Sequence, residues 1–354
     1  MKKIIFLISI LILTVFLVQN QAFAKWGKKP KKPHIDINYT DENSVFAPIN
    51  LVGENRIYVG TFQLVWNYLQ DEIIKAPIQF TGEKSYLADV LNKQGFRKEM
   101  LSENSYYINS GKTTLNLKKE IEKGIYEKFR EKSDILNSIN WNNPDSILIY
   151  AMLKKDFEFL TEFDNIENSK FLDEKVKFFG IKKGANLDLR SNVGVLFYNN
   201  KNDFALKIKT KSDDEVILYR TDDNECFEKY YQDLNSKITD DSRLKNFTKD
   251  DSMKVPYIKF DKTFNYKELT NKPIEKTDFI ISDAIQTVKF EMNNKGVKLK
   301  SEAGVVVALT AIPQKKTILR EFNFDKPFTL FLIEKDKNTP YFAIRFEDSK
   351  LFIK

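Results

Sequence analysis

The stretch of residues 278–346, near the C-terminus, most constrains what this chain can fold into. Residues 287–292 (Thr-Val-Lys-Phe-Glu-Met) alternate polar and apolar side chains, which predicts a strand with one buried face. Residues 293–296 (Asn-Asn-Lys-Gly) have the composition of a turn, in which Gly296 would allow a free choice of φ. Residues 297–316 follow without a settled periodicity, which is long for a connection in a compact domain. The pattern therefore predicts a strand, a hinge and a long exposed loop.

Two Phe-rich segments follow, residues 322–333 and 340–346, and they predict a β-hairpin around residues 335–339. With the preceding strand, this order resembles the C-terminal quarter of a serpin: last strand of the main sheet, hinge, reactive loop and Phe-rich strand pair. Residues 322–328 (Phe-Asn-Phe-Asp-Lys-Pro-Phe) carry the most specific likeness, a Phe, an Asp and a Pro-Phe pair at the family's spacing. Residues 281–285 resemble the family's short helical turn before the hinge strand. The alternative is two unrelated hairpins joined by a linker.

The resemblance extends in order over roughly residues 105–346. Residues 106–111 and 117–129 are similar to a serpin strand that leads into a helix. Apolar residues recur every four positions in that helix, which predicts one buried stripe: Leu117, Ile121, Ile125 and Phe129. Residues 135–139 are expected to form the neighbouring strand. Only the short segment around residues 141–145 (Trp-Asn-Asn-Pro-Asp) separates it from the apolar segment 146–153, so the helix that crosses the front of the sheet in serpins is expected to be missing or reduced.

Residues 146–153 are apolar throughout, which favours a central strand buried on both faces. After it, Phe157 or Phe159 is expected to fill the space of a Trp in the family's pattern. Residues 255–260 resemble the family's Pro-x-Phe strand, which residues 263–269 are expected to continue. The resemblance implies an α+β fold, with large mixed or antiparallel β-sheets, a helical N-terminal part and an exposed reactive-type loop.

The helical N-terminal part begins with residues 61–74, where apolar side chains recur at helical spacing. Thr61 is a candidate N-cap. The shared face, which we expect to pack on the core, consists of Phe62, Val65, Trp66, Leu69 and Ile73. Residues 86–94 predict a second helix, which starts after Ser85.

The first 24 residues have the pattern of a cleavable signal peptide. Lys2 and Lys3 form the charged start, residues 4–18 the apolar core, and residues 22–24 (Ala-Phe-Ala) the cleavage site. The alternative is a membrane anchor, but a run of about fifteen residues is short for a span of roughly twenty. We therefore expect a secreted or periplasmic protein without stable membrane insertion. Residues 25–43 form a basic Pro- and Lys-rich linker, and residues 44–354 are expected to form a single serpin-like domain.

Composition excludes several kinds of site. The chain has one Cys, Cys226, so it cannot form an intramolecular disulfide, and its only His, His34, lies in the linker. A His-based triad or a zinc site is therefore not expected, and neither is any other cofactor. The signal peptide and linker hold seven lysines against three acidic residues, so most of the net charge of +7 lies outside the body, which is near neutral. No basic patch with interleaved aromatic residues favours nucleic-acid binding.

No pattern of catalytic residues indicates an enzyme, because the sequence has neither a phosphate-binding Gly loop nor a Gly-x-Ser-x-Gly elbow. The acidic pairs Asp213-Asp214 and Asp250-Asp251 are expected in exposed turns rather than at a glycosidase site.

The resemblance instead places the function in the loop. Its hinge would begin at Gly296 and present Val297, Leu299, Ser301 and Ala303 on one face. We expect Val297 to lie at an exposed hinge while the loop is intact. The family's spacing from Gly296 puts the bait bond near Leu309-Thr310, and the basic pair Lys315-Lys316 is a second candidate.

Two functions follow from these residues. The first is a protease inhibitor whose loop, about residues 297–316, inserts into the main sheet after attack by a serine or cysteine protease. The second is a non-inhibitory binding or scaffold protein of the cell envelope, with an unidentified protein partner. The hinge is ambiguous, because Val297 and Leu299 are larger than the alanines that inhibitory members prefer. In either case we expect a monomer.

Overall fold

The computed structural model describes residues 50–167, 169–238, 245–299 and 319–354. The predicted signal peptide and linker lie outside these ranges, as do Ser301, Ala303, Leu309, Thr310, Lys315 and Lys316.

Five α-helices lie in the described ranges: α1 Thr61–Tyr68, α2 Tyr86–Leu91, α3 Leu115–Phe129, α4 Leu187–Ser191 and α5 Phe227–Lys237. The helical N-terminal part is confirmed, and α1 continues as a π-helical segment, Leu69–Ile74. Its N-cap is Gly60 rather than Thr61. Ser85 and Thr114 are the N-caps of α2 and α3, and their hydroxyl oxygens accept hydrogen bonds from backbone N–H groups three residues on. The predicted stripe of α3 is buried.

Nineteen strands lie in the same ranges: β1 Asn50–Val52, β2 Asn55–Val59, β3 Tyr106–Thr113, β4 Asn143–Leu153, β5 Lys155–Glu158, β6 Asp164–Ile166, β7 Lys170–Phe171, β8 Glu174–Lys175, β9 Phe178–Ile181, β10 Val193–Asn200, β11 Asp203–Ile208, β12 Asp214–Arg220, β13 Ser252–Pro256, β14 Ile258–Asn265, β15 Ile285–Met292, β16 Gly296–Leu299, β17 Glu321–Asn323, β18 Phe328–Glu334 and β19 Phe342–Phe346. Most pairs are antiparallel, as expected for this α+β fold; β13 and β17 are parallel.

The largest sheet has seven strands in the order β1-β2-β19-β18-β12-β11-β10. It contains the predicted C-terminal hairpin, in which Phe328 pairs with Phe346 and Leu332 with Phe342. A second sheet has the order β17-β13-β9-β6, and a third β14-β15-β16-β5. β3 and β4 form a separate antiparallel pair, and β4 leads directly into β5.

Three local predictions were wrong. Residues 136–138 form a 3₁₀ turn instead of a strand, and residues 281–284 have no regular structure instead of a helical turn. The segment predicted as one strand from residue 255 is divided at Tyr257, so that β13 and β14 belong to different sheets. At Tyr257 the cause is tertiary pairing, because β13 pairs with β9 whereas β14 pairs with β15.

The described core has three clusters. The largest fills the space between the seven-stranded sheet and the two four-stranded sheets, and it includes Phe157 and Phe159, both of which are buried. A second lies under α1, α2 and α5. The third lies between α3 and the β3–β4 pair and consists of Leu117, Ile121, Ile125, Phe129, Leu136 and Tyr150. None of the described helices is long and apolar enough to cross a membrane.

Candidate functional site: a strand-shaped cleft

The predicted hinge is itself a strand of the third sheet. After the turn at residues 293–295, β16 pairs antiparallel with the end of β15, with Val297 opposite Met292. On its other side it pairs antiparallel with β5, where Val297 lies opposite Phe157 and Leu299 opposite Lys155. The start of the loop therefore already lies between two strands of the body.

Gly296 is needed for close packing rather than for a special φ. A Cβ at this position would overlap the carbonyl oxygen of Phe157 and lie 2.7 Å from Cα of Glu158. Gly296 is not among the residues with positive φ. The sequence identified this glycine correctly but gave it the wrong physical reason.

Val297 is fully buried, with an exposed fraction of 0%. It packs in the largest core cluster with Met292 and Phe157. The expectation that Val297 lies at an exposed hinge in the intact chain was therefore wrong. Lys298, on the opposite face of the strand, is exposed, as alternation along a strand requires.

Beyond β16, two strand edges face each other without a strand between them. Among the described residues, β4 pairs only with β3, and residues 285–290 of β15 pair only with β14. A cavity of about 1190 Å³ lies between the two edges, and none of the described residues fills it. An unpaired edge presents backbone N–H and C=O groups that can pair with a further strand. The cleft is therefore shaped for an extended peptide segment.

The floor of the cleft is apolar. The helical face predicted to pack on the core, Phe62, Val65, Trp66, Leu69 and Ile73, lines it. Of these, Phe62 and Trp66 are buried, whereas the other three are partly exposed in the cleft. The walls add apolar side chains such as Ile149 and Val288.

The apolar composition of residues 146–153 has a different reason from the one predicted. Tyr150 packs against α3, and Leu148 and Met152 lie beside it. The opposite face of β4 borders the cleft, where Ile147 is 41% exposed. The strand is apolar on both faces because one faces a helix and the other faces the cleft.

An ion pair spans the outer side of the cleft. Nζ of Lys289, on β15, lies 2.7 Å from Oδ1 of Asp134, in the turn after α3. Lys289 also lies 3.5 Å from Asp261. The hydrogen bond with Asp134 raises the pKa of Lys289 above its ordinary value. On the solvent side, β15 is thus joined to the turn that follows α3.

A buried polar cluster, which we call the Glu334 node, lies at the closed end of the cleft. Glu334 of β18 accepts hydrogen bonds from Ser102, Ser105 and Lys155. Lys155 also lies 2.8 Å from Asp214, which accepts a hydrogen bond from the Tyr341 hydroxyl. Burial opposes ionisation of Glu334, but the hydrogen bonds from Lys155 and Ser105 hold the pKa of Glu334 below its ordinary value. The node joins β5, the partner of the hinge strand, to the seven-stranded sheet.

The other end of the loop is held by a second buried ion pair. Nε and Nη2 of Arg320 donate to the two carboxylate oxygens of Asp251 at 3.0 and 2.7 Å. Asp251 is fully buried, and Asp214 is only 7% exposed. The expectation that both acidic pairs lie in exposed turns was therefore wrong for these two members, which are structural partners of Arg320 and Lys155.

The sequence did not identify Lys155, Glu334, Asp134 or Lys289 as important. Each is an ordinary charged residue in a chain that has 57 Lys and Arg and 50 Asp and Glu. Their partners are more than a hundred residues away along the chain, so no local pattern could have shown them. Within the described ranges, no group of three or more His, Cys, Asp or Glu is placed to hold a metal ion.

Comparisons with known proteins give similarity of fold. No family model matches the chain, and no curated protein matches it by sequence. Among solved structures, it is similar to Serpin48, a highly specific serpin of the insect Tenebrio molitor, at 14% identity and a TM-score of 0.45, over 82% of this chain and 91% of that one. Thyroxine-binding globulin in complex with thyroxine is 12% identical with a TM-score of 0.47, over 82% and 92% of the two chains. Maspin is 17% identical with a TM-score of 0.43, over 66% and 65%. These similarities concern the fold alone. The α+β class predicted from the sequence is confirmed by the described helices and mostly antiparallel sheets.

Proposed function

We propose that this chain is an exported serpin-like inhibitor of a serine or cysteine protease, which acts by inserting its cut loop into the cleft between β4 and β15. One observation carries the proposal. β16 already occupies the first positions of the missing strand, and the unpaired edges of β4 and β15 continue in the same direction. A strand added there pairs on both sides.

Continuing the observed register indicates which side chains would enter. Ser301 would come opposite Val288 and Leu153, and Ala303 opposite Gln286 and Ala151. Both would face α1, on the same side as Val297, because side chains alternate along a strand. Glu302 would face solvent. The cleft would thus receive small side chains on its closed face and a charged one on its open face.

Insertion of the loop lowers the free energy of the protein only if nothing else fills the cleft. Each ladder hydrogen bond contributes about 0.5–1.5 kcal/mol, and ordering the backbone costs about 1–2 kcal/mol per residue. These terms are of similar size, so the gain depends on the buried apolar surface and on removing the unpaired strand edges. We expect the cut protein to melt well above the intact one.

The bait bond is proposed at Leu309-Thr310, with Lys315-Lys316 as the second candidate. A bond that a protease attacks must be exposed and able to enter its cleft. Limited proteolysis of the native protein is expected to cut first between residues 305 and 316, and mass spectrometry of the fragments identifies the bond. First cuts elsewhere in the body would contradict the assignment of the loop.

The function is tested by incubation with a panel of serine and cysteine proteases, followed by denaturing electrophoresis. An inhibitor is expected to form a complex that survives denaturation. Ala303→Arg is expected to convert it into a substrate, because a guanidinium would be placed on the closed face of the cleft. Glu302→Arg is the matched control, because the same side chain one residue earlier would face solvent. If both variants inhibit equally, the loop does not insert in this register.

The second candidate is a non-inhibitory binding or scaffold protein of the cell envelope. The burial of Val297 in the uncut chain favours it, because part of the stabilisation from insertion is then already present. Under this function no protease forms a stable complex, and a verified cut in the loop leaves the melting temperature unchanged. Both functions need export, which N-terminal sequencing tests: the mature chain is expected to begin at Lys25.

A further inference from the structure

The outer edge of β3 is open in the described part of the chain. β3, residues 106–113, pairs with β4 on one side, and no described strand lies on the other. The strand predicted beside it, at residues 135–139, is replaced by a 3₁₀ turn over residues 136–138. An eight-residue edge presents backbone N–H and C=O groups that can pair with a further segment. The pair of strands can therefore be extended at this edge.

This edge lacks the features that keep exposed strand edges from pairing. Such edges are commonly protected by charged side chains, above all by lysine. β14, the outer edge on the far side of the cleft, carries the exposed Lys259 and Lys262, whereas β3 carries one charged residue, Lys112, next to its end. Tyr106 and Ile108 of β3 pack against the largest core cluster but remain partly exposed. A strand with apolar side chains on this face would extend their burial.

The N-terminal region contains a matching sequence. Residues 25–33 hold five lysines and two prolines and have the composition of a linker, but residues 35–40 (Ile-Asp-Ile-Asn-Tyr-Thr) do not. Apolar and polar side chains alternate in this segment, and four of the six are β-branched or aromatic. The pattern predicts a strand with Ile35, Ile37 and Tyr39 on one face.

The chain between this segment and the body is long enough to reach β3. Asn50 lies in one row across the seven-stranded sheet with Leu330, three strand spacings or about 14 Å away. Glu334 lies four residues further along the strand of Leu330, about 13 Å, and accepts a hydrogen bond from Ser105, which directly precedes β3. The path from Asn50 to Glu334 is thus about 20 Å, whereas the nine residues 41–49 span up to about 30 Å. Residues 35–40 can therefore lie beside β3 of the same molecule.

We infer that residues 35–40 pair with the outer edge of β3 in the same chain. Their three apolar side chains lie on the side of Ile108, and their polar side chains face solvent. This segment, which we call the N-terminal strap, closes an edge that would otherwise pair with other chains. The strap is independent of the proposed function, since it involves neither the loop nor the cleft.

Amide hydrogen exchange of the intact mature protein tests the strap. Ile37→Asp places a charge on the apolar side of the strap and is expected to raise exchange at residues 106–113 by roughly 10- to 100-fold, which corresponds to the loss of one buried isoleucine. Asn38→Asp is the matched control, because the same side chain one residue later faces solvent; it is expected to leave exchange unchanged. Exchange at residues 328–334 should stay constant in both variants, because the large sheet does not depend on the strap. If Ile37→Asp has no effect on residues 106–113, or if both variants have the same effect, the strap does not exist.

Pulsed electron spin resonance tests where the segment lies. One spin label is placed at Asn38→Cys and the other at Lys112→Cys on β3 or Lys262→Cys on β14, in a Cys226→Ser background. A strap on β3 gives a narrow, short separation from Lys112→Cys and a long one from Lys262→Cys, because strands lie about 4.8 Å apart. Similar separations would place the segment in the cleft, and the reverse order would place it on β14. Either of these results, or a broad distribution with both labels, overturns the inference.

A mixture of singly labelled chains tests whether the strap belongs to the same molecule. Chains labelled at Asn38→Cys are mixed, unfolded and refolded together with chains labelled at Lys112→Cys. No short separation is expected, because each strap returns to its own β3. A short separation in the mixture would show that a second copy closes the edge, which contradicts pairing within one chain.

Discussion

Replacing Val297 by Arg tests the position of the hinge in the uncut protein. Val297 is fully buried between Met292 and Phe157, so an arginine there would bring a charge into an apolar core. A charge in such a place costs more than the protein can recover from neighbouring groups. We expect the chain to avoid this cost by releasing β16 from the sheet.

The cost of release can be worked from the register. β16 has two paired positions with β15 and four with β5, which corresponds to about six hydrogen bonds at about 0.5–1.5 kcal/mol each. Freeing its four residues returns about 1–2 kcal/mol of backbone entropy per residue, so these two terms nearly cancel. What remains is the burial of the valine side chain, about 1.5–3 kcal/mol. The free energy of unfolding should fall by that amount, which lowers the melting temperature by roughly 3–10 °C.

Thermal unfolding followed by circular dichroism measures the change, and amide hydrogen exchange at residues 155–158 shows whether β16 has left. Lys298→Arg is the control, because it places a guanidinium on the exposed face of the same strand. It should leave both measurements unchanged. If Val297→Arg melts like the unaltered protein and keeps its protection at residues 155–158, Val297 is not buried in this sheet and the reasoning fails.

Two further predictions concern Gly296 and Glu334. Gly296→Ala should release β16 by steric overlap with the backbone of β5 and increase exchange at residues 155–158, whereas Gly194→Ala, where the nearest atom is 3.9 Å from the added Cβ, should not. Exchange that is unchanged in Gly296→Ala would refute the close approach. Because the pKa of Glu334 is lowered in the folded state, its stabilisation is present above its unfolded-state value of about 4.3 and is lost as pH falls through the folded-state value. The difference in free energy of unfolding between the unaltered protein and Glu334→Gln should therefore be largest above about pH 5 and shrink toward about pH 3; a difference independent of pH would contradict it.

Local patterns in the sequence determined much of the fold. The four-residue spacing of Leu117, Ile121, Ile125 and Phe129 specified α3 and its buried face, because an α-helix brings such positions onto one side. Alternation specified β15, and the Phe-rich segments specified the hairpin of β18 and β19. These features depend on neighbours within a few residues, which is the information that a single sequence carries most clearly.

The cleft and the ion pairs near it were decided by tertiary structure. Val297 is buried because β16 pairs with β5, which lies about 140 residues earlier in the chain. No residue near Val297 in the sequence indicates this pairing. The ion pairs of Lys155 with Glu334 and of Lys289 with Asp134 also could not be predicted from local sequence. In each pair, the two residues are far apart in the chain and meet only in the folded structure. The apolar residues 146–153 predicted a buried strand, but only the packing showed that one face meets α3 and the other an unfilled cleft. Sequence patterns determine which face of an element is apolar; the assembled fold decides what that face meets, because that depends on pairing between distant segments.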